Sequence, residues 1–228
     1  MTNSAGFSSL WEELEPILTG VPSTPTVFNQ YRDCNEQVDL QTAPSTRLQN
    51  LKKYMEQALK TASVLVVGEA AGPWGCRFSG VPFMGERQLL DSTFPYKGER
   101  SSRSKTARPT RVDPPYISTS AEIFWRLMLQ FHTQILVWDA FPLHTHKCHD
   151  IFSVRNPTTT EVAGFRGALH LIKAYMKPVQ IVAIGRKADK ILSTIGELHQ
   201  YVRHPSRGGN AKFTAGMEVI FIDQRKDR

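Results

Sequence analysis

Little in this chain points away from an ordinary globular fold. No apolar run approaches the ~18–20 residues that a bilayer-spanning helix requires, so a membrane protein is not expected. The opening MTNSAGFSSLWEEL lacks a basic stretch followed by a long apolar one, so no secretory signal is expected. Three cysteines, Cys34, Cys76 and Cys148, are too few and too odd in number for a disulfide framework. Reduced thiols in a cytoplasmic protein are the natural reading. No CxxC pair, no GxxxxGK[ST] phosphate loop, no GxGxxG fingerprint and no HxE…PCxxC deaminase signature occurs. Internal repeats and low-complexity tracts are missing as well.

Acidic residues are also in short supply. Asp and Glu number 21 against 28 Lys and Arg, a net charge of +7 in 228 residues. The excess is concentrated: Lys97, Arg100, Arg103, Lys105, Arg108 and Arg111 face a single acid, Glu99. Such a cluster is either a solvated surface loop or a contact for a polyanion, most simply nucleic acid.

Hydrophobic patterning supplies the elements. Residues 9–19 and 45–60 have helical spacing, the second with Ser45 as N-cap, and 20–43 reads as a loop or arm. SVLVVG (63–68), QILVW (134–138) and VQIVAIG (179–185) are buried-type strands, and QYVRHPS (200–206) begins as one. Helices are expected over 119–131, from a Thr158/Glu161 capping box to about Met176, and over 186–194. MEVIFI (217–222) reads as a last strand or edge element, and 92–117 as a basic surface insertion. The alternation predicts a three-layer α/β/α fold around a mainly parallel four-stranded sheet. A helical arm, 1–60, would pack on the domain formed by 61–228.

In such sheets ligands bind beyond the carboxyl ends of the strands. Those ends carry Gly68-Glu69, Asp139 and His204: two carboxylates and an imidazole. GEAAGPWGCRFSGVPF (68–83) holds four glycines and two prolines, a loop able to approach a ligand closely. RHPSRGGN (203–210) can offer backbone N–H groups and a hydroxyl to a phosphate. HTHKCHD (144–150) fits no standard zinc spacing and reads as a polar loop near the ligand rather than a metal site.

Together GEAAG (68–72) with GVPF (80–83), WDAFP (138–142) and HPS (204–206) resemble the motifs of the uracil-DNA glycosylase superfamily, nearest to its family-4-like bacterial branch. The likeness covers roughly residues 60–222, with Ala71 where relatives carry proline. The family-4 iron–sulfur cluster needs four cysteines, so no cofactor is expected here. The resemblance implies a monofunctional glycosylase that flips a base from double- or single-stranded DNA and leaves an abasic site; nothing in the sequence requires a dimer, so a monomer is expected. Glu69 would orient water and stabilise the cationic sugar, and His204 would bond the base carbonyl O2. Phe83 would stack on the base, with Ala70, Gly72 and Trp74 around it. Pro142, His144, Pro205, Ser206 and Arg207 would meet DNA, joined by Arg103, Lys105 and Arg108 of the insertion.

Position 139 departs from the family pattern, since relatives carry Asn there. An ionised Asp can only accept, so it would repel uracil O4 and accept from the N4 amine of cytosine. Gly72 stands where some relatives place a tyrosine against C5 substituents. Amine reading plus room at C5 implies a 5-substituted cytosine, such as hydroxymethylcytosine or its glucosylated form in phage DNA. The alternatives are a uracil glycosylase in repair and a non-catalytic reader of modified DNA.

Overall fold

The computed structural model describes residues 4–103 and 114–226. The core is a sheet of β2 (Val64–Ala70), β3 (Ile135–Phe141), β5 (Gln180–Ile184) and β6 (Gln200–Val202), in the order β3-β2-β5-β6, with every pair parallel. All seven β3 residues and the first five of β2 are buried, so both sheet faces are covered. The flanking helices are α1 (Ser4–Thr19), α2 (Ala43–Ala58), α5 (Thr119–Met128), α7 (Arg166–Met176), α8 (Gly185–Thr194) and α9 (Asn210–Lys226), with short helices α3 (Cys76–Ser79), α4 (Glu86–Leu90) and α6 (Thr159–Gly164). A separate two-stranded pair, β1 (Val27–Phe28) with β4 (His144–Thr145), is antiparallel. The three-layer α/β/α expectation holds.

The strand order locates the site. From β2 the chain runs to β3 on one side, then returns to β5 on the other. The crevice beyond the carboxyl ends of β2 and β5 is therefore the topological switch point, where such sheets bind ligands.

Several boundaries differ from the sequence reading. Residues 217–222 lie inside α9, not in a strand. Phe213, Met217, Ile220 and Phe221 are buried while Glu218 and Val219 are exposed, a helical rather than alternating period. Phe221 stacks on Phe131 with centroids 4.1 Å apart, which fixes that face inward. Helix α2 starts before Ser45: Thr42 occupies the N-cap, Pro44 sits in the first turn, and Ser45 Oγ donates to the Thr42 carbonyl. The capping box forms as expected, Thr158 Oγ1 accepting from the Glu161 amide and Glu161 Oε2 from the Thr158 amide. Its helix, however, stops at Gly164 and restarts at Arg166, because Phe165 leaves helical geometry (φ −106°, ψ 7°).

The 20–43 segment is more than an arm. Asn29, Gln30 and Asp39 are fully buried. Gln30 donates to the Pro142 carbonyl (2.7 Å) and accepts from the His144 amide (3.2 Å); Tyr31 donates to the Gly80 carbonyl (2.8 Å). Asp39 takes hydrogen bonds from Arg47 (2.5 Å) and Arg77 (2.9 Å), all three side chains buried. Residues before position 60 thus clamp the loops that follow β2 and β3.

Candidate active site

Strand β2 ends in Gly68-Glu69-Ala70, and Gly68 pairs in register with Asp139 of β3. The glycine is a steric requirement. A Cβ at position 68 would collide with both Asp139 Oδ1 and the Phe83 ring. Phe83 is half-buried with φ 53°, an unusual value for a bulky residue. Its carbonyl accepts from Trp125 Nε1 (2.9 Å), and its ring packs 4.8 Å from Phe124 and 5.8 Å from His204. At the end of β5, Gly185 has φ +86°, and a Cβ there would press on His204 Cβ at 3.0 Å. Asp139, Phe83 and His204 therefore form an arc over the two glycines.

The imidazole of His204 has a defined proton. Its Nδ1 accepts from the Ser206 amide (3.1 Å), with Ser206 Oγ at 2.8 Å. An amide N–H can only donate, so the neutral ring carries its proton on Nε2. Burial, then the charges of Arg203 and Arg207, hold the imidazolium pKa down to about 4. At neutral pH His204 is a neutral Nε2–H donor.

Glu69 and His204 line one cleft of about 990 Å³. Burial raises the Glu69 carboxyl above its ordinary range, and the Lys187 charge opposes that. Asn156 joins the two: in the amide orientation that satisfies both partners it donates to Glu69 Oε1 (3.1 Å) and accepts from Lys187 Nζ (2.7 Å). Arg186, Lys187, Arg203, Arg207 and Lys212 also line the cleft. Arg155 does too, but its guanidinium is engaged by Glu161 at 2.5 and 2.9 Å.

Asp139 is not in the cleft lining. It lies behind Gly68, 2% exposed, with Oδ1 unpartnered among the described residues. Burial first, and the Glu69 charge second, push its pKa up to about 7. The ionised carboxylate of the sequence reading is thus corrected: near neutral pH the protonated form is well populated.

Other expected site residues fall in different places. His144 is fully buried, its Nδ1 2.8 Å from the Ala71 carbonyl and its Nε2 2.7 Å from the Ile151 carbonyl. Burial outweighs those contacts and holds its pKa down to about 4; a neutral ring has one N–H and donates to one of the two carbonyls at a time, and its burial leaves no surface for DNA. Pro142 is likewise buried, its carbonyl occupied by Gln30. Trp74 stacks on Phe152 (4.6 Å, 12° between planes) and packs near Tyr116, so packing claims much of its surface. Ala70 is half-buried at the end of β2, and nothing lies within 4 Å of a Cβ built on Gly72. Pro205 is buried, Ser206 half-buried and Arg207 exposed at the cleft. Arg103 is exposed away from the cleft, with Nε donating to the Asp39 carbonyl (2.6 Å). Lys105 and Arg108 lie outside the described residues. Among the described residues, no group of three or more His, Cys, Asp or Glu is placed to hold a metal ion.

Sequence reasoning missed Asn156, Lys187, Arg186 and Lys212. Lys187 follows β5 by three residues, so the strand-end rule that found Glu69 reaches it as well. Asn156 has no such signal; it reaches Glu69 only through the path of the loop before α6.

These features match known proteins. The model of the uracil DNA glycosylase superfamily matches residues 56–221. A crystal structure of wild-type SMUG2 from Pedobacter heparinus superimposes with a TM-score of 0.56 at 12% identity, covering 96% of this chain and 99% of that one. A comparison with curated proteins returned no match. The chain belongs to the uracil DNA glycosylase superfamily. It is a DNA glycosylase, a hydrolase of N-glycosidic bonds. Among the described residues no helix is long and apolar enough to cross a membrane.

Proposed function

We propose that this glycosylase is monofunctional and releases a 5-substituted cytosine, hydroxymethylated or glucosylated, from DNA of the kind found in modified phage genomes, acting in the cytoplasm as a monomer. The observation that carries the reading is the acidic residue at position 139, buried with an unpartnered oxygen beside Glu69. A carboxyl oxygen accepts from an exocyclic amine in either protonation state. In its ionised form the carboxyl also repels uracil O4, a polar mismatch of a kind that discriminates by ~10⁴-fold or more. The open space at Gly72 supports room for a substituent.

In this reading the base leaves as negative charge develops on O2, where the neutral Nε2–H of His204 donates. Glu69, steadied by Asn156 and Lys187, orients the water and faces the cationic sugar. The cleft cations take the flanking phosphates, with Ser206 and Arg207 nearest His204 in sequence.

The test is excision from duplex and single-stranded DNA carrying uracil, cytosine, 5-hydroxymethylcytosine or its glucosylated form, read as alkali-labile abasic sites. Cleavage at the substituted cytosines is expected. Cleavage at uracil alone would make the protein a repair glycosylase, and binding without cleavage would make it a reader.

A further inference from the structure

Asp139 reads the base in the proposed function but moves no proton there. Asp139 has an unpartnered Oδ1 in the arc with Phe83 and His204. Each neighbouring element contributes something specific. From β2 comes the like charge of Glu69; from α3, the Cys76 thiol; from the segment after β1, the Tyr31 phenol; from the loop after β6, neutral His204. Burial raises the thiol and the phenol well above their ordinary values, so both stay neutral. Among the described residues no cation bonds to Asp139 Oδ1. One carboxyl stands isolated while its neighbour Glu69 has a lysine nearby through Asn156. Two carboxyls in such unequal surroundings divide into an acid and a base.

The edge of a cytosine-type base has a matching pattern. Its N4 amine donates and its N3 accepts. A carboxylate would set an oxygen lone pair against N3; a carboxylic acid accepts from N4 and donates to N3.

We propose that Asp139 is a general acid as well as a reader, delivering its carboxyl proton to N3 of the extruded base while Glu69 takes the proton of the attacking water. This rests on the cytosine-type substrate already proposed. The C1′–N1 bond breaks and its electron pair passes to the base. The Asp139 proton moves to N3, so the base departs as a neutral tautomer. Water oxygen bonds to C1′ and its proton goes to Glu69. Asp139 ends as carboxylate and Glu69 as acid; exchange with solvent restores both.

The experiment is single-turnover excision of 5-hydroxymethylcytosine from a duplex between pH 5 and 9, for the unaltered enzyme and Asp139→Asn, with duplex affinity measured in parallel. An amide pairs with the same edge, C=O to N4 and NH₂ to N3, but transfers no proton. Affinity within about threefold and a rate loss of ~10²-fold at pH 6 are expected for the variant. The unaltered enzyme should lose rate about tenfold per pH unit above neutrality, and the variant should lack that limb. Excision by the variant with the alkaline limb intact, or at an unchanged rate, would overturn the proton transfer and leave the base assignment standing. Uracil as the only base released by the unaltered enzyme would overturn the assignment and the proton transfer together.

Discussion

The isolated carboxyl at position 139 makes a stability prediction that needs no substrate. Its pKa is pushed up from an ordinary 3.8 to about 7 in the folded chain. The fold therefore favours the protonated form. That contribution is fully present below the unfolded value and is lost as pH rises through the folded one. At about 1.36 kcal/mol per pH unit the whole effect is capped near 4 kcal/mol, of which about 2 is lost between pH 5 and pH 7. A carboxamide does not titrate, so Asp139→Asn should gain stability relative to the unaltered protein by about 2 kcal/mol over that interval. For a chain of this size the relative midpoint of thermal unfolding should move by roughly 5–9 °C. Paired thermal or urea unfolding at pH 5, 6, 7 and 8 measures it. Taking the difference between the two proteins cancels the titrations not coupled to position 139, including the opposite-signed loss expected as His144 and His204 protonate on acidification toward about 4. A difference that stays constant from pH 5 to pH 8 would refute the burial argument and remove the acid from the proposed mechanism.

Lys187→Met should lower turnover by roughly tenfold and move the acidic limb of the pH–rate profile to higher pH, because the cation that lowers the Glu69 pKa is gone; an unmoved limb in the rate profile counts against the link through Asn156. Arg186→Ala should weaken DNA binding equally for all four bases and reduce the slope of log K against log salt by ~0.9. Base-dependent weakening in titrations across salt would place Arg186 at the base instead of a phosphate. Asp39→Ala leaves Arg47 and Arg77 buried without their counter-charge and should cost about 3–5 kcal/mol in urea unfolding; a cost below about 1 kcal/mol would show that the buried triad is not what holds the loops.

The strands, the alternation that makes a parallel sheet and the three strand-end motifs were legible in the sequence, because a strand buried on both faces must be a short apolar run. Glu69 and Asp139 were legible for the same reason, since a polar residue directly after such a run sits at the sheet's carboxyl edge; His204, two residues past the short β6 with its exposed Gln200 and Tyr201, was legible from the HPS motif. The consequences of burial and packing were not legible. MEVIFI reads as a strand until Phe131 and the sheet supply a face for a helix to cover. His144 looked like a DNA contact until two carbonyls enclosed it. The cleft's cations come from segments around 186, 203–207 and 212, scattered in sequence and gathered only by the order of the strands. Above all, the residue type at 139 was plain, but its proton was not. Ionisation depends on the free energy of a charge in its surroundings, and only the folded chain sets the loss of water and the nearness of Glu69 that raise it.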